Sequence, residues 1–412
     1  MKGEMKLTPS IFVGLVVGLL LAVLAFSQAA ASVGLSIDSF RPLGGSFFSW
    51  RAGQTRAALA ISSRSSRVNS AAAQRLGRET LAHAPLTPRS LWLVGKSMEI
   101  GGAQSKARKA MLQAERLSRR DSAVQLWLGA DRLRGGYIAS GLRHFDLMIR
   151  GDADAANAVI PRMALIILAP EGRRHLAPYI RENNPWLPHL FQVAVTDLPR
   201  AAPMAQLLID RRKMAPDIEN GRYVYSTLLT RLIAEGSYSS ALQLYPLLPG
   251  SNRDTLRNVG GTARGKLDEG YPPFVWAFSD GSAQGGEFVS VEGGLTGIDI
   301  FASPGTVGVA AVKLVAVNPG DALYWQAADR ASNLDGSATW VATCLAGASA
   351  KKKVESANML SASVPQNKLL KMAMPAGCNL VRLDMRVAGG IGRDPTNLTI
   401  SALKLARDTS AK

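Results

Sequence analysis

The chain has 412 residues, of which 47% are hydrophobic, and this composition excludes a disordered protein and predicts two or three packed domains. Its formal net charge is +17, but from residue 273 onward 13 Lys and Arg face 11 Asp and Glu, so nearly all of the excess lies earlier in the chain. A basic surface attracts polyanions. The alternative is an Arg-rich surface that is solvated and has no specific ligand.

Near the N-terminus, residues 11–26 form an apolar run without charge or proline. Together with residues 27–32 the run reaches about 20 residues, which is the length of a membrane-crossing helix. Lys2 and Lys6 precede it and the next basic residue is Arg41, a distribution that favours a cytoplasmic N-terminus. We therefore predict that residues 1–32 are a transmembrane signal anchor, and that residues 33–70 are a spacer.

Two alternatives to the anchor remain open. The triplet at residues 29–31 is all alanine and is similar to the cleavage site of a signal peptide. The run could also be a buried helix of a cytosolic protein. Anchor and signal peptide both export the rest of the chain. The predicted location is the bacterial inner membrane, crossed once, with the bulk of the chain in the periplasm and nucleic acid excluded as a partner.

Within residues 71–250, about half of the sequence repeats with a period of 34, and the pattern fades between the repeated units. Gly95 and Gly129 are 34 residues apart, and so are Gly102 and Gly136, while residues 233–245 parallel residues 133–145. Small residues at such positions let paired helices approach closely. This spacing resembles the tetratricopeptide repeat, and the resemblance implies an α-solenoid of helical hairpins that binds a protein partner. The alternative is an unrelated array of helices. Proline-bounded segments between the units predict further helices at 155–168, 173–181, 188–196 and 203–212.

After a Gly-rich stretch, predicted to be a linker over residues 251–270, the pattern changes from helical to strand-like. Nine short strands are predicted in residues 271–408, separated by turn signals such as Asn318-Pro319-Gly320, and their ranges are 274–279, 287–291, 297–302, 307–317, 322–328, 339–345, 368–374, 380–387 and 398–406. This rhythm predicts an antiparallel β-sandwich. The runs 312–328 and 398–405 resemble the strands of jelly-roll carbohydrate-binding modules. The fold class expected for the whole chain is multidomain α + β.

Both cysteines, Cys344 and Cys378, lie in or beside predicted strands of this last domain. An even number of cysteines in an exported domain favours a disulfide over two buried free thiols.

No arrangement of residues typical of catalysis occurs in the sequence. It contains no metalloprotease, nucleophile-elbow or phosphate-loop motif and no cysteine pair with zinc spacing, and its four histidines are scattered. We therefore expect a protein that is not an enzyme and that has neither a cofactor nor a metal site. The binding candidates are strand aromatics and their polar neighbours, which stack on sugar rings and bind hydroxyl groups: Tyr324, Trp325, Gln326, Arg330 and Trp340. Because Tyr324 and Trp325 are adjacent, they must point to opposite faces of the sheet, and a core position is the alternative for each ring.

These features together favour a membrane-tethered periplasmic adaptor. In this hypothesis the solenoid binds a protein partner and the β-domain binds an acidic or neutral polysaccharide during envelope or exopolysaccharide assembly. Two further hypotheses are a purely structural interaction subunit that binds no glycan and a carbohydrate-active enzyme with an unrecognised site.

Overall fold

The computed structural model describes residues 16–19, 21–22, 70–83, 88–260, 269–291, 295–330, 335–364 and 368–408. Its contacts divide the chain into two compact units, residues 1–159 and residues 160–412. The division falls inside the region predicted to be one solenoid and not at residue 250. The second unit therefore contains helices as well as all of the strands.

Most of the predicted membrane segment lies outside the described residues. Residues 16–19 and 21–22 are helical, and nothing else of the run 11–26 is described. In the described part of the chain, no helix has both the length and the apolar character that a membrane span requires. The predicted spacer, residues 33–70, also lies outside the described part except for Ser70. The anchor stays a prediction.

The first unit is helical. Its described helices are α1 (Ser70–His83), α2 (Pro88–Ile100), α3 (Gln104–Leu117), α4 (Ser122–Arg134), α5 (Ile138–Gly151) and the beginning of α6 (Ala156–Ile166), which follows a 3₁₀ turn at Ala153–Ala155. Helices α2 and α3 form one hairpin, and α4 and α5 form the next. The predicted small residues lie where the helices of each hairpin cross. A Cβ on Gly95 would lie 3.0 Å from Met111 Cε, and a Cβ on Gly129 would overlap the ring of Phe145.

Three helices end in the same turn, as the sequence repeat predicts. Gly102, Gly136 and Gly236 have φ angles of 78°, 79° and 72°. After each of these glycines, the next amide donates to a carbonyl five residues earlier: Ala103 N to Met98 O, Tyr137 N to Arg132 O and Ser237 N to Leu232 O. This is the Schellman pattern, which needs a residue with positive φ and therefore favours glycine. The parallel between residues 133–145 and 233–245 is thus confirmed at the level of helix termination.

The second unit contains six described α-helices or parts of them, and the first four overlap the segments predicted between residues 155 and 212. They are the remainder of α6, then α7 (Pro170–Leu176), α8 (Leu187–Asp197), α9 (Ala202–Asp210), α10 (Gly221–Ala234) and α11 (Tyr238–Leu244). Pro170, Pro188 and Pro203 each occupy the first turn of their helix, where the missing N–H costs no intrahelical bond. Pro161 lies inside α6.

The nine predicted strands are all present, and a short tenth strand, β7, joins them. The strands are β1 (Ala277–Phe278), β2 (Gln284–Val291), β3 (Leu295–Ala302), β4 (Val307–Ala316), β5 (Asp321–Arg330), β6 (Ser337–Gly347), β7 (Lys353–Glu355), β8 (Leu369–Ala373), β9 (Cys378–Ala388) and β10 (Thr396–Arg407). They form two antiparallel five-stranded sheets with the orders β1-β4-β9-β6-β7 and β2-β3-β10-β5-β8. The predicted antiparallel β-sandwich is therefore confirmed.

One hydrophobic core fills the space between the two sheets. Alternate residues of the central strands enter it, including Trp325 from β5, Trp340 from β6, Met385 from β9 and Ile400 from β10. The strand period of two explains this pattern, since every second side chain of a strand faces the same side.

The described part of the predicted linker 251–270 does not lie free of the sandwich. Residues Arg253–Leu256 form a 3₁₀ turn, and Val259 belongs to the sandwich core. The indole nitrogen of Trp276 donates to Val259 O at 3.0 Å, and a side chain on Gly260 would collide with the carbonyl of Leu403. Glycine is required at residue 260 because the backbone there packs directly against the backbone of Leu403. Residues 261–268 lie outside the described part.

Aromatic rings connect the helices of the second unit to the beginning of the sandwich. Tyr271 packs edge-on against Tyr225 of α10 and against Tyr245, and Tyr245 in turn packs against Phe274. The hydroxyl of Tyr271 donates to Pro249 O at 2.6 Å. Edge-to-face pairs of this kind add about 0.5–1.5 kcal/mol beyond the burial of their area. This packing is the physical reason why the helices after residue 160 and the strands form one compact unit.

Candidate functional site

The outward side of the sheet β2-β3-β10-β5-β8 carries the sequence-predicted residues that a ligand could reach. We call this side the β5 face. Trp325 points into the core, so its neighbours Tyr324 and Gln326 point outward by the alternation of the strand. Both are half-buried. Their cross-strand partners face the same way, and the register of the sheet therefore defines the rest of the face.

Tyr324 lies between two lysines on this face. Its register partners are Lys404 on β10 and Lys371 on β8. Lys404 Nζ is 5.7 Å from the centre of the Tyr324 ring, a distance typical of a cation–π contact. Lys371 Nζ is 3.2 Å from Asp408 Oδ2. The ring is thus held within a polar, charged border.

A second group lies across β10 and β3. Thr399 Oγ1 donates to Asp299 Oδ1 at 3.0 Å, and Asp299 faces Glu287 of β2 in the register. Next to this pair Phe301 is 36% exposed, and its ring lies over Gly285, where any Cβ would collide with it. An exposed ring of this kind next to a carboxylate and a hydroxyl is suited to bind a ligand that has both apolar and hydroxylated surfaces. Asn397 of β10 is the register partner of Phe301 and therefore faces the same side of the sheet.

The sequence did not single out Phe301 as a candidate. The signal for it was present in the alternation of β3, where Ile298, Ile300 and Ala302 are buried and therefore leave Phe301 on the outward side.

Two of the five predicted ligand-binding residues lie in the core instead. Trp325 is 2% exposed and Trp340 is fully buried, and Trp340 packs against Trp276 with ring centres 5.7 Å apart. Neither ring has a surface that a ligand could contact, so the binding role expected for them is not compatible with their positions. The side chain of Arg330 lies outside the described residues. Only Tyr324 and Gln326 share the β5 face.

The predicted disulfide between Cys344 and Cys378 is present. It joins β6 to the start of β9 with a Cα–Cα distance of 5.8 Å, and both residues are 1% exposed. The bond lies beside the three consecutive exposed lysines at residues 351–353, and Lys351 N donates to Cys344 O at 2.8 Å. It therefore fixes the end of the sandwich that carries this basic turn.

Buried charges of the second unit have structural partners. Lys313 is 1% exposed and donates to Phe274 O at 2.6 Å and to Thr255 O at 3.2 Å, and burial lowers its pKa to about 7. Asp321 Oδ2 accepts from Arg257 at 2.8 Å and from the amide of Asn318 at 2.7 Å. These contacts connect the segment 253–258 to β4 and β5. Among the described residues, no group of three or more His, Cys, Asp or Glu side chains could hold a metal ion.

In the first unit, three arginines surround a pocket of about 340 Å³. Arg116 and Arg119 approach it from the end of α3 and Arg143 from α5, while Glu115 and Leu147 complete its wall. Behind Glu115 lies His144, which is buried and contacts Gln125 Oε1 at 2.7 Å. Burial lowers the pKa of His144, the charges of Arg143 and Arg132 lower it further, and Glu115 opposes them. With a neutral imidazole, three guanidinium groups face Glu115, which is the one carboxylate in the described lining, so the pocket is positively charged.

We compared the sequence and the structure of the chain with those of known proteins. No protein-family profile matches the chain, and no curated protein matches it. Among solved structures, a carbohydrate-binding module in complex with beta-1,4-galactotriose matches with 11% sequence identity and a TM-score of 0.24, covering 36% of this chain and 94% of that one. A likeness at this level carries no conclusion about what this chain binds.

Proposed function

We propose that this protein is an exported, membrane-tethered adaptor of the bacterial envelope whose β-sandwich binds a glycan on the β5 face. The observation that carries the proposal is the placement of Tyr324, Gln326 and Phe301 on one outward sheet face beside the Asp299–Thr399 pair. Exposed rings stack on sugar rings, and amide, carboxylate and hydroxyl groups fix sugar hydroxyls. The jelly-roll character expected from the sequence belongs to the same proposal.

Two features support the rest of the assignment. A disulfide is formed and kept in oxidising compartments, and Cys344–Cys378 is therefore consistent with export to the periplasm. The repeated hairpins with their glycine-terminated helices support a tetratricopeptide-like array that binds a protein. The pocket of Arg116, Arg119 and Arg143 favours an acidic surface on that partner. In this proposal the protein has no catalytic activity of its own.

A glycan array with the full-length protein tests the sandwich. We expect binding of an acidic or neutral envelope polysaccharide, and an affinity about tenfold lower for Tyr324→Ala and for Phe301→Ala, since a central aromatic anchor contributes about 1–2 kcal/mol or more. Tyr137→Ala is the matched control, because Tyr137 is 63% exposed but lies in the first unit, in the turn between α4 and α5.

Binding that is lost equally in Tyr137→Ala, or the absence of any bound glycan, would exclude the β5 face as the site. Retention of protein partners without glycans would then favour a purely structural subunit.

A further inference from the structure

A cleft of about 1020 Å³ lies in the second unit, away from the β5 face. Its walls come from α9, α11, the 3₁₀ turns after α11 and the chain that follows β4. Small-molecule sites have volumes of about 300–1,000 Å³ and combine apolar walls with a few convergent polar groups. The cleft has the size and the composition of such a site, and the glycan-binding proposal does not use it.

One side of the cleft is aliphatic. Ile209 of α9 and Leu242 of α11 lie on it together with Pro246 and Leu247, and the described lining contains no aromatic residue. A sugar or a nucleobase would find no ring to stack on. An aliphatic chain would find matching apolar surface, and burying it gains roughly 0.8 kcal/mol for each CH₂ group, before the cost of association is subtracted.

The other side is cationic. Arg212, Arg253 and Arg257 line the cleft, and Asp254 is the one acidic residue among its described lining. Arg257 is fixed by its ion pair with Asp321 at 2.8 Å. In the described part of the chain, Arg212 and Arg253 have no carboxylate partner, and both are exposed. Two guanidinium groups are therefore available to an anion, and guanidinium binds phosphate or carboxylate with two parallel hydrogen bonds.

The cationic side is also held in place. Lys313 donates to Thr255 O inside the turn that carries Arg253, and Asp321 ties Arg257 to the chain at Asn318. Asn258 and Asn318 add side-chain amides to the same wall. A site whose polar groups are fixed before binding loses less entropy when the ligand arrives.

We infer that this cleft binds an anionic amphiphile, a molecule with an aliphatic chain and a phosphate or carboxylate head. The chain lies along Leu242 and Leu247, and the head lies between Arg212 and Arg253. The ligand must match both walls of the cleft. A site for a simple anion needs no aliphatic wall, and a site for a purely apolar ligand needs no arginines without carboxylate partners.

Photo-crosslinking of the full-length protein tests this assignment. The probe is octyl phosphate with a diazirine in its chain, and mass spectrometry locates the label. We expect labelling in peptides that contain Leu242 and Leu247. Unlabelled octyl phosphate should compete well. Octanol, which has the chain without the charge, and inorganic phosphate, which has the charge without the chain, should each compete at least about tenfold less well.

A matched pair of variants separates the site from general surface charge. The double variant Arg212→Gln/Arg253→Gln should raise the half-competing concentration of octyl phosphate about tenfold, since each charge-assisted bond contributes to affinity. Lys213→Gln removes the same charge from the exposed residue next to Arg212, which does not line the cleft, and should change nothing. Both changes lie on exposed side chains, so folding is retained.

Three results would overturn the inference: no label in the cleft peptides, equal competition by octanol, or an equal loss in Lys213→Gln. These results do not depend on whether the β5 face binds a glycan, because Tyr324 does not line the cleft. Tyr324→Ala should therefore be labelled in the cleft as the wild type is.

Discussion

Asp131 on α4 accepts two hydrogen bonds from Arg108 on α3, from Nε at 2.7 Å and from Nη2 at 3.0 Å, and a third from Gln104 Nε2 at 3.0 Å. The carboxylate is almost fully buried, whereas the Arg108 side chain is 43% exposed. The pair joins the two helical hairpins of the first unit, and the hydrogen bond from Arg108 lowers the pKa of Asp131.

Asp131→Ala should destabilise the first unit by about 1–3 kcal/mol, because Gln104 and Arg108 lose a buried charged acceptor. Urea unfolding followed by circular dichroism measures the difference. Asp146→Ala is the control, since it removes the i,i+4 pair with Arg150, and a pair of this kind contributes about 0.3–0.5 kcal/mol. The folded-state pKa of Asp131 is lowered, so its contribution is complete above the ordinary carboxyl pKa and is lost as the pH falls through the folded value. An unchanged gap between wild type and variant in acid would contradict this.

Gly129→Ala should destabilise the chain by about 1–3 kcal/mol, because the added methyl group overlaps the ring of Phe145 in a packed hairpin. Gly101→Ala provides the contrast. Its Cβ would lie 3.5 Å from Ser97 O, which is ordinary contact, so no loss is expected. Thermal unfolding compares the two. Equal effects would mean that the period-34 glycines are not packing positions.

Removal of the disulfide in Cys344→Ala/Cys378→Ala should lower the stability of the sandwich by about 3–4 kcal/mol, the chain-entropy value for cysteines 34 residues apart. Guanidinium unfolding followed by tryptophan fluorescence measures the difference, since Trp325 and Trp340 lie in the sandwich core. Trp127 and Trp186 of the helical region contribute to the same signal, and they are the same in both proteins. Reductant should destabilise the wild type by the same amount and leave the variant unchanged. A variant that still responds to reductant would show that another effect is being measured.

Lys313→Met should change the pH dependence of stability. Burial lowers the folded-state pKa of Lys313 to about 7, well below its value in the unfolded chain. The folded state then binds fewer protons than the unfolded state between about pH 7 and 10, so the wild type gains stability as the pH rises through this window, and the gain is absent in Lys313→Met. Unfolding free energies at pH 6.5, 8 and 9.5 measure the slope. Parallel curves for the two proteins would be the contrary result.

Much of the fold could be predicted from local patterns. The glycines at 102, 136 and 236 and the alternation of the strands are signals that act over a few residues, and the helix ends and nine of the ten strands follow from them. β7 was missed because it has three residues, too few to show a period. The packing of the later helices against the start of the sandwich could not be predicted, because it depends on long-range contacts of Tyr225, Tyr245 and Tyr271, which no local pattern records.

The candidate site was harder to predict. The sequence correctly places Tyr324 and Trp325 on opposite faces, but it does not say which face is the core. The alternation of β6 shows which residues share a face with Trp340 but does not say whether that face is buried. The pairing of β6 with β9 in the folded sheet places Trp340 in the core. The cleft was not visible in the sequence at all, since its arginines lie at residues 212, 253 and 257 and meet only through the packing of α9 and α11.

The insertion of Val259 and Gly260 into the sandwich has a consequence for how this protein can be cut and recombined. A fragment that begins at residue 271 would leave a gap in the core at Val259 and an unbonded indole N–H on Trp276. It would also leave Lys313 without Thr255 as an acceptor. A gene fusion that takes the sandwich from the end of the predicted linker, residues 251–270, therefore omits part of its core. We expect a transferable piece to need the upstream turn from Asn252, and we expect cleavage between residues 252 and 260 to destabilise the β-domain.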